Sequence, residues 1–435
     1  MVDENDLEPG GRRPRDMSVA DFNEFKRRAE KKTETSEIDK RPKSTREYEA
    51  LIDAIENRLG ISLSLNSFSG RMFIEGLGDQ FDGILNETSV LQLQHRLIMA
   101  CVRKPPSSNR LREMCERIAA ERSFNPLKDK LVRLSHYGLT SCQHIASTYF
   151  GAEPTVLNNT MLTLWMTAAV RRVMQPGCKF DHMLVLQGGT GAGKSSACRI
   201  LAMNDEWFSD YFPPPDDERK CIEAFRGKWI VEHAELAGLK TADQEKLKAM
   251  LSRQIDMARP AYGRDVIEAP RQCVFVGTTE EDEFLVDNTN RRFWPIKCGA
   301  IDLEGLRLDA EQVWAEIKVI EQSGISLEMP EELWPQEREI QRDARKISPF
   351  VEEIIRLIGN PEEGKFPSVN LREWFQMSAQ AWVTCQFHYG KAMRDLGWKR
   401  KRVRLTKTQL EWFYVKNSDK CKQDRDLPDI NKILD

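Results

Sequence analysis

Gly188, Gly189, Thr190, Gly191, Ala192, Gly193, Lys194, Ser195 and Ser196 run consecutively, and no other stretch constrains the fold as much. They follow the apolar run Met183, Leu184, Val185, Leu186 and precede a segment, 196–203, that reads as a helix. Gly188, four residues, then Gly193-Lys194-Ser195 is the signature of a phosphate-binding loop in a strand–loop–helix setting. Glycines let backbone N–H groups converge on phosphate oxygens, and a helix N-terminus adds partial positive charge. Lys194 can reach the β- and γ-phosphates, while the Ser195 hydroxyl can ligate Mg²⁺. The spacing predicts a nucleoside triphosphate bound along residues 188–196.

At 435 residues the chain has room for two to four domains. A charged content of 31% with a net charge of only -3 means that any nucleic-acid site is a local patch and not a whole-surface field. No apolar run reaches membrane-spanning length, and the first residues are acidic and polar, unlike a signal peptide. Ten scattered cysteines form no C-x-x-C pair and no zinc spacing, so they read as reduced thiols of a cytoplasmic protein.

Composition and periodicity divide the chain into five expected parts. Residues 1–45, with the basic cluster Lys26-Arg27-Arg28, bury too little to fold and read as a charged, disordered tail. Residues 46–104 suggest a small α/β unit, closed by the linker Lys104-Pro105-Pro106-Ser107-Ser108-Asn109. Residues 110–180 read as helical, so the region before the loop is mostly helical. Residues 181–345 hold three apolar strands, the first before the loop, the second Trp229-Ile230-Val231-Glu232, the third Cys273 to Thr279. With helical connections between them they predict an α/β core around a mainly parallel sheet, with ligands at the carboxyl ends of the strands. Residues 346–435 show three helical stretches, then the basic run Lys399-Arg400-Lys401-Arg402-Val403-Arg404 and the strand-like Trp412 to Val415. Three helices closed by a two-strand ribbon are the grammar of a winged helix.

Hydrolysis of a triphosphate needs an acid to hold the metal and a group to orient the attacking water. Glu232 ends a buried strand downstream of the loop and is read as the metal-holding acid with Ser195; Glu235, three residues on, is read as activating or supporting the water. Thr278 and Thr279 end the neighbouring strand, where a hydroxyl can donate toward the γ-phosphate. Arg291 and Arg292 sit in Asn290-Arg291-Arg292-Phe293-Trp294-Pro295 and are read as stabilising transition-state charge on an adjacent subunit's nucleotide. A hairpin with Arg259, Tyr262 and Arg264 near its tip suits a single DNA strand threaded past it, or is an ordinary surface turn. Residues 391–410 carry eight Lys/Arg against one Asp, the footprint expected of nucleic-acid binding, here of duplex DNA, through Lys399, Arg400, Lys401, Arg402 and Arg404.

Taken in order, Pro176-Gly177-Cys178-Lys179, the phosphate loop, Trp207-Phe208-Ser209-Asp210, Trp229 to Glu232 with Glu235-Leu236, Arg259-Pro260, Gly277-Thr278-Thr279 and Asn-Arg-Arg-Phe-Trp-Pro resemble the virulence-associated protein E family of phages and mobile elements. That family is similar to the superfamily 3 helicases within the AAA+ class. The resemblance covers about residues 125–314. It implies a P-loop ATPase core using ATP and Mg²⁺, a ring, hexameric by analogy, and DNA translocation or unwinding during replication of a mobile element. It assigns Glu232 to the Walker B slot, Arg291 or Arg292 to the trans-acting arginine, and the hairpin around Arg264 to a DNA channel. Two departures stand out. Glu280 occupies the sensor position where the family shows Asn, and an ionised carboxylate cannot donate to a phosphate, leaving Thr279 for that role. No primase motif precedes the core, so priming falls to a separate protein. The rival readings are a loader or initiator that melts DNA without processive unwinding, a winged-helix binding protein with a regulatory ATPase switch, and, least favoured, a small-molecule kinase.

Overall fold

The computed structural model describes residues 43–100, 106–138, 144–258, 266–285, 291–345, 349–404, 410–417 and 428–430. The expected tail, residues 1–45, lies almost wholly outside them. The chain divides into two compact units, residues 1–135 with 225–229, and residues 136–224 with 230–435.

The first unit is mostly helical by residue count, but it also carries a four-stranded sheet. Helix α1 (Lys43–Asp53), strands β1 (Ser62–Asn66), β2 (Arg71–Glu75) and β3 (Gly83–Ile84), helices α2 (Glu87–Met99) and α3 (Ser108–Glu121), strand β4 (Ser123–Phe124) and helix α4 (Pro126–Arg133) follow in order. The sheet runs β3-β2-β1-β4. The Asn86 side chain and Ser89 form a capping box that starts α2. The linker expected at 104–109 is not a domain boundary. Ser107 caps α3, and Leu111, Cys115 and Ile118 of that helix share one core with Leu51, Leu63, Ile74 and Leu93. A cap and a helical apolar stripe outweigh the two prolines before them.

The second unit opens with α5 (Ile145–Phe150) and α6 (Val156–Met174). Helix α6 is buried on most of its circumference, and the indole N–H of Trp165 donates to the Phe275 carbonyl at 2.8 Å. Then come β5 (Met183–Gln187), α7 (Lys194–Leu201), β6 (Phe208–Ser209), α8 (Glu218–Phe225), β7 (Ile230–His233), α9 (Thr241–Leu251), β8 (Ile255–Ala258), β9 (Ile267–Pro270), β10 (Val274–Thr279), β11 (Phe293–Lys297), α10 (Leu303–Gln322) and α11 (Trp334–Asp343). Five strands form one sheet, ordered β11-β5-β10-β7-β6, and every pairing in it is parallel. Strands β5 and β10 are buried at every residue, as strands covered on both faces must be. The protein is therefore mixed α/β with a parallel sheet.

Two strands of that sheet escaped the sequence reading. β6 is two residues long, and β11 contains Pro295, which lacks a ladder donor and is tolerated because β11 lies at the sheet edge. The register fixes the ligand edge. Thr279 pairs with Gln187, and Gly277 pairs with His233, so the ends of β5, β10 and β7 lie side by side.

β8 and β9 pair antiparallel as the two arms of the expected hairpin, whose tip with Arg259, Tyr262 and Arg264 lies outside the described residues. Its base is held by a buried ion pair. Arg271 donates from Nε and Nη2 to the two carboxylate oxygens of Asp256, both at 2.7 Å, and from Nη1 to the Met250 carbonyl of α9 at 2.5 Å.

The C-terminal part contains α12 (Pro349–Ile358), β12 (Gly364–Pro367), α13 (Asn370–Trp374), α14 (Ala379–Asp395), β13 (Lys399–Arg404) and β14 (Leu410–Lys416). The expected two-strand ribbon is a three-stranded antiparallel sheet, β12-β14-β13. The third strand is the short Gly-Lys-Phe-Pro of β12, whose Phe366 is fully buried against Trp374, Trp398 and Tyr414.

Because Arg271 and Asp256 are 1% and 3% exposed, removing one charge strands the other in the core. Arg271→Met is expected to lower stability by about 3–5 kcal/mol, whereas Asp256→Leu with Arg271→Met recovers most of it. Urea midpoints of the three proteins check this.

Candidate functional site

The glycine-rich loop joins the end of β5 to the start of α7. Gly191 and Gly193 have φ of 73° and 90°, a region open to glycine, and a Cβ on Gly193 would sit 3.1 Å from the Leu303 side chain. Lys194 is the first residue of α7 and is 9% exposed. Its ammonium donates to the carbonyls of Gly188 and Gly189 at 2.7 and 2.9 Å, across the loop it would share with a phosphate.

Glu232 ends its strand with 1% exposure. Its Oε1 accepts from the Ser195 hydroxyl at 2.6 Å and from the Thr278 hydroxyl at 2.8 Å, while its buried Oε2 has no partner among the described residues. A buried carboxylate oxygen without a donor is costly unless a ligand serves it. Two neutral hydroxyls beside an unserved carboxylate oxygen suit a hydrated divalent cation, so the residues present fit Mg²⁺ with a triphosphate.

Of the two threonines, Thr278 meets the acid. The Thr279 hydroxyl accepts from the Glu281 N–H at 3.2 Å and retains its own proton for donation. Glu280, at the sensor position, is exposed. Glu235 is also exposed and adopts a left-handed conformation, φ 55° and ψ 49°, unusual for a side chain with a Cβ. His233, between the two acids, is turned to its own loop through Nδ1 and the Ala234 carbonyl at 3.0 Å, and burial pushes its pKa down. Gly277, read in the sequence only as part of the Gly-Thr-Thr motif, has a packing role of its own. A Cβ there would lie 2.0 Å from the Leu236 Cδ1, so this glycine seats Leu236 and with it the turn that carries Glu235. A glycine inside an apolar strand is the sequence signal of such a close approach.

Arg291 and Arg292 precede β11, whose Phe293 pairs with Met183 at the start of β5. The phosphate loop leaves the other end of β5, five residues on, which at about 3.3 Å per residue is about 16 Å away. Arg292 is held within its own chain, donating to Asp181 at 3.4 Å and to the Lys248 carbonyl of α9 at 2.9 Å. Arg291 is exposed and lines a cavity of about 390 Å³ with Lys179, Asp181, His182, Glu337 and Arg338. The strand below them is fastened by Trp294, whose indole stacks on His182 at 4.1 Å and donates to the buried Glu337 at 2.9 Å. Desolvation, reinforced by Arg291, Arg292 and Lys179, holds the His182 pKa down to about 4 despite Asp181.

In the C-terminal part, the basic run is strand β13. Arg400, Arg402 and Arg404 alternate onto one face, opposite Tyr414, Trp412 and Leu410 of β14, while Lys401 faces the other way opposite Phe413. Lys399, Arg400, Arg402 and Arg404 are exposed.

Residues 131–346 match the model of the virulence-associated protein E-like domain. The chain therefore carries a virulence-associated protein E-like domain. The match begins just before the second unit and stops before α12, so it contains the loop, both acids and the arginine pair. No curated protein matches the sequence. Among solved structures, the apo NrS-1 C-terminal region is similar at 13% identity with a TM-score of 0.45, covering 85% of this chain and 98% of that one. A second, A-form apo structure of that region gives 12% identity and a TM-score of 0.48 over the same shares. At those scores the likeness supports no argument about function. No helix among the described residues is long and apolar enough to cross a membrane.

The unequal settings of the two arginines of the VapE-like domain predict unequal effects. Arg292→Ala, losing a charge-assisted bond to a carbonyl and a half-buried ion pair, is expected to destabilise the fold by about 1–2 kcal/mol. Arg291→Ala is expected to change stability by less than about 0.5 kcal/mol. Chemical denaturation of both variants separates the roles.

Proposed function

We propose that this chain is an ATP-hydrolysing DNA motor, a helicase or translocase of a phage or mobile element, built on an AAA+, superfamily 3-like P-loop core. The observation that carries the reading is the opposition of loop and arginine. The residues that would bind phosphate and the exposed guanidinium that would complete the site lie at opposite ends of one short strand, so a single copy cannot supply both to one nucleotide. Adjacent copies in a ring can, and the family resemblance favours six.

In this reading residues 188–196 cradle the triphosphate of ATP, with Lys194 exchanging the Gly188 and Gly189 carbonyls for β- and γ-phosphate oxygens. Bound Mg²⁺ would neutralise charge between those phosphates. Ser195 and Glu232 are the residues that would hold it, directly or through its waters. Glu235, on an exposed turn that Gly277 keeps close to β10, orients or deprotonates the attacking water. Thr279 donates toward the γ-phosphate in place of the family's Asn, and Arg291 of a neighbouring copy stabilises the charge that develops. Arg292 is thereby a positioning residue.

The helix and strand order from α12 to β14 supports a winged-helix reading of the C-terminal part, with Lys399, Arg400, Lys401, Arg402 and Arg404 as a DNA surface. Arg259, Tyr262 and Arg264 are proposed to meet single-stranded DNA within the ring. The place of action is assigned to the cytoplasm.

Lys194→Ala is expected to abolish nucleotide binding and turnover, and Arg291→Ala to abolish turnover while leaving nucleotide binding intact. Mixed together, the two inactive proteins are expected to recover part of the DNA-stimulated hydrolysis, because an interface with an intact loop on one copy and Arg291 on the next is complete. Absence of recovery, with both variants still assembling, would sink the shared site. Strand displacement by the unaltered protein distinguishes a helicase from a loader that hydrolyses ATP without unwinding.

A further inference from the structure

Helix α14 and the basic strands do not close against each other. Between them lies a cavity of about 830 Å³, with Val383, Phe387, Arg394, Trp398, Lys399 and Arg400 in its walls. Three cations and no carboxylate line it among the described residues. Val383 and Phe387 are 67% and 70% exposed, which is uncommon for neighbouring large apolar side chains on one helix face. On the ribbon face that Arg400 shares, the guanidiniums of Arg400 and Arg402 lie 4.9 and 5.1 Å from the indole centroid of Trp412, itself 43% exposed. Trp398 is 1% exposed, and its indole N–H has no acceptor among the described residues.

We propose that this groove takes an unpaired DNA strand, with bases stacking on Phe387 and on the Arg–Trp412 surface and phosphates meeting Arg394, Lys399 and Arg400. The inference rests on the proposal that the C-terminal part binds DNA, and it names which form of DNA. Charge selects a polyanion, and the groove offers it cations without a competing acid. Aromatic faces and planar guanidiniums select what stacks on them. In a duplex the base faces are already occupied by neighbouring bases, and the edges shown in the major groove are read by polar side chains, whereas α14 presents Val383 and Phe387. A flexible strand can also follow a concave groove that a stiff duplex bridges.

The test measures affinity of the full chain for a labelled oligothymidine and for a blunt duplex of equal length. Trp412→Ala and Phe387→Ala are each expected to weaken oligothymidine binding about tenfold, as loss of one stacked base does, and to leave the duplex unaffected. Trp412→Phe is expected to retain most of the affinity. Equal losses on both substrates, or none on either, would overturn the groove. Because both side chains are exposed, their removal opens no core cavity. As a second measurement, photocross-linking from an iodouracil-substituted strand should attach to Trp412 or Phe387, and attachment only elsewhere would overturn it as well. Arg400→Ala with Arg402→Ala separates the two readings. If that variant binds both substrates normally and with an unchanged salt slope, the C-terminal DNA surface itself fails. If it weakens both while Trp412→Ala shows no selectivity, only the stacking groove fails.

Discussion

One carboxylate aligns the glycine-rich loop, a helix start and two strand ends at the candidate site. Glu232 is buried near the end of an interior strand, and its Oε1 accepts hydrogen bonds from a helix on one side and a strand on the other, through Ser195 and Thr278. Burying that charge is unfavourable without donors, so the fold that buries it must bring the loop, the helix start and the two strand ends together. The parallel register does so, with Thr279 beside Gln187 and Gly277 beside His233. The second carboxylate oxygen is left without a donor, which turns a structural anchor into a place for a cation.

In the proposed motor, one short sheet would serve two nucleotides. Its carboxyl edge carries the loop, the acid and the threonines, as edges of parallel sheets do. Its amino edge carries Arg291, made presentable by a stiff base, Trp294 between His182 and Glu337, with Arg292 tied to Asp181 and α9. A five-residue strand is too long for a side chain to bridge and short enough to hold both edges in fixed relation.

Much of this was legible in the sequence, for physical reasons that differ by element. The loop is legible because glycines at positive φ and a lysine at a helix start have few other uses. The helices from Val156 to Met174 and from Glu87 to Met99 follow from caps and apolar spacing. The basic ribbon is legible because eight Lys/Arg against one Asp stand out in a chain whose net charge is only -3. What stayed hidden depends on contacts distant in sequence. Pro295 disguises an edge strand that only its pairing with Val185 reveals, and Ser107 looks like linker until the core that receives Leu111 is known. The partition of labour within Arg291-Arg292, and within Thr278-Thr279, is invisible in sequence, since adjacent identical residues differ only in which way each side chain turns.

The last turn of α9 is gripped twice. Its Lys248 carbonyl accepts from Arg292, beside the exposed arginine, and its Met250 carbonyl accepts from Arg271, which holds the root of the β8–β9 hairpin. A force applied at one grip is carried through a single stretch of backbone to the other, with no slack rotamer in between. A shift of Arg292 would therefore be felt at the root of the hairpin through two residues of one helix end.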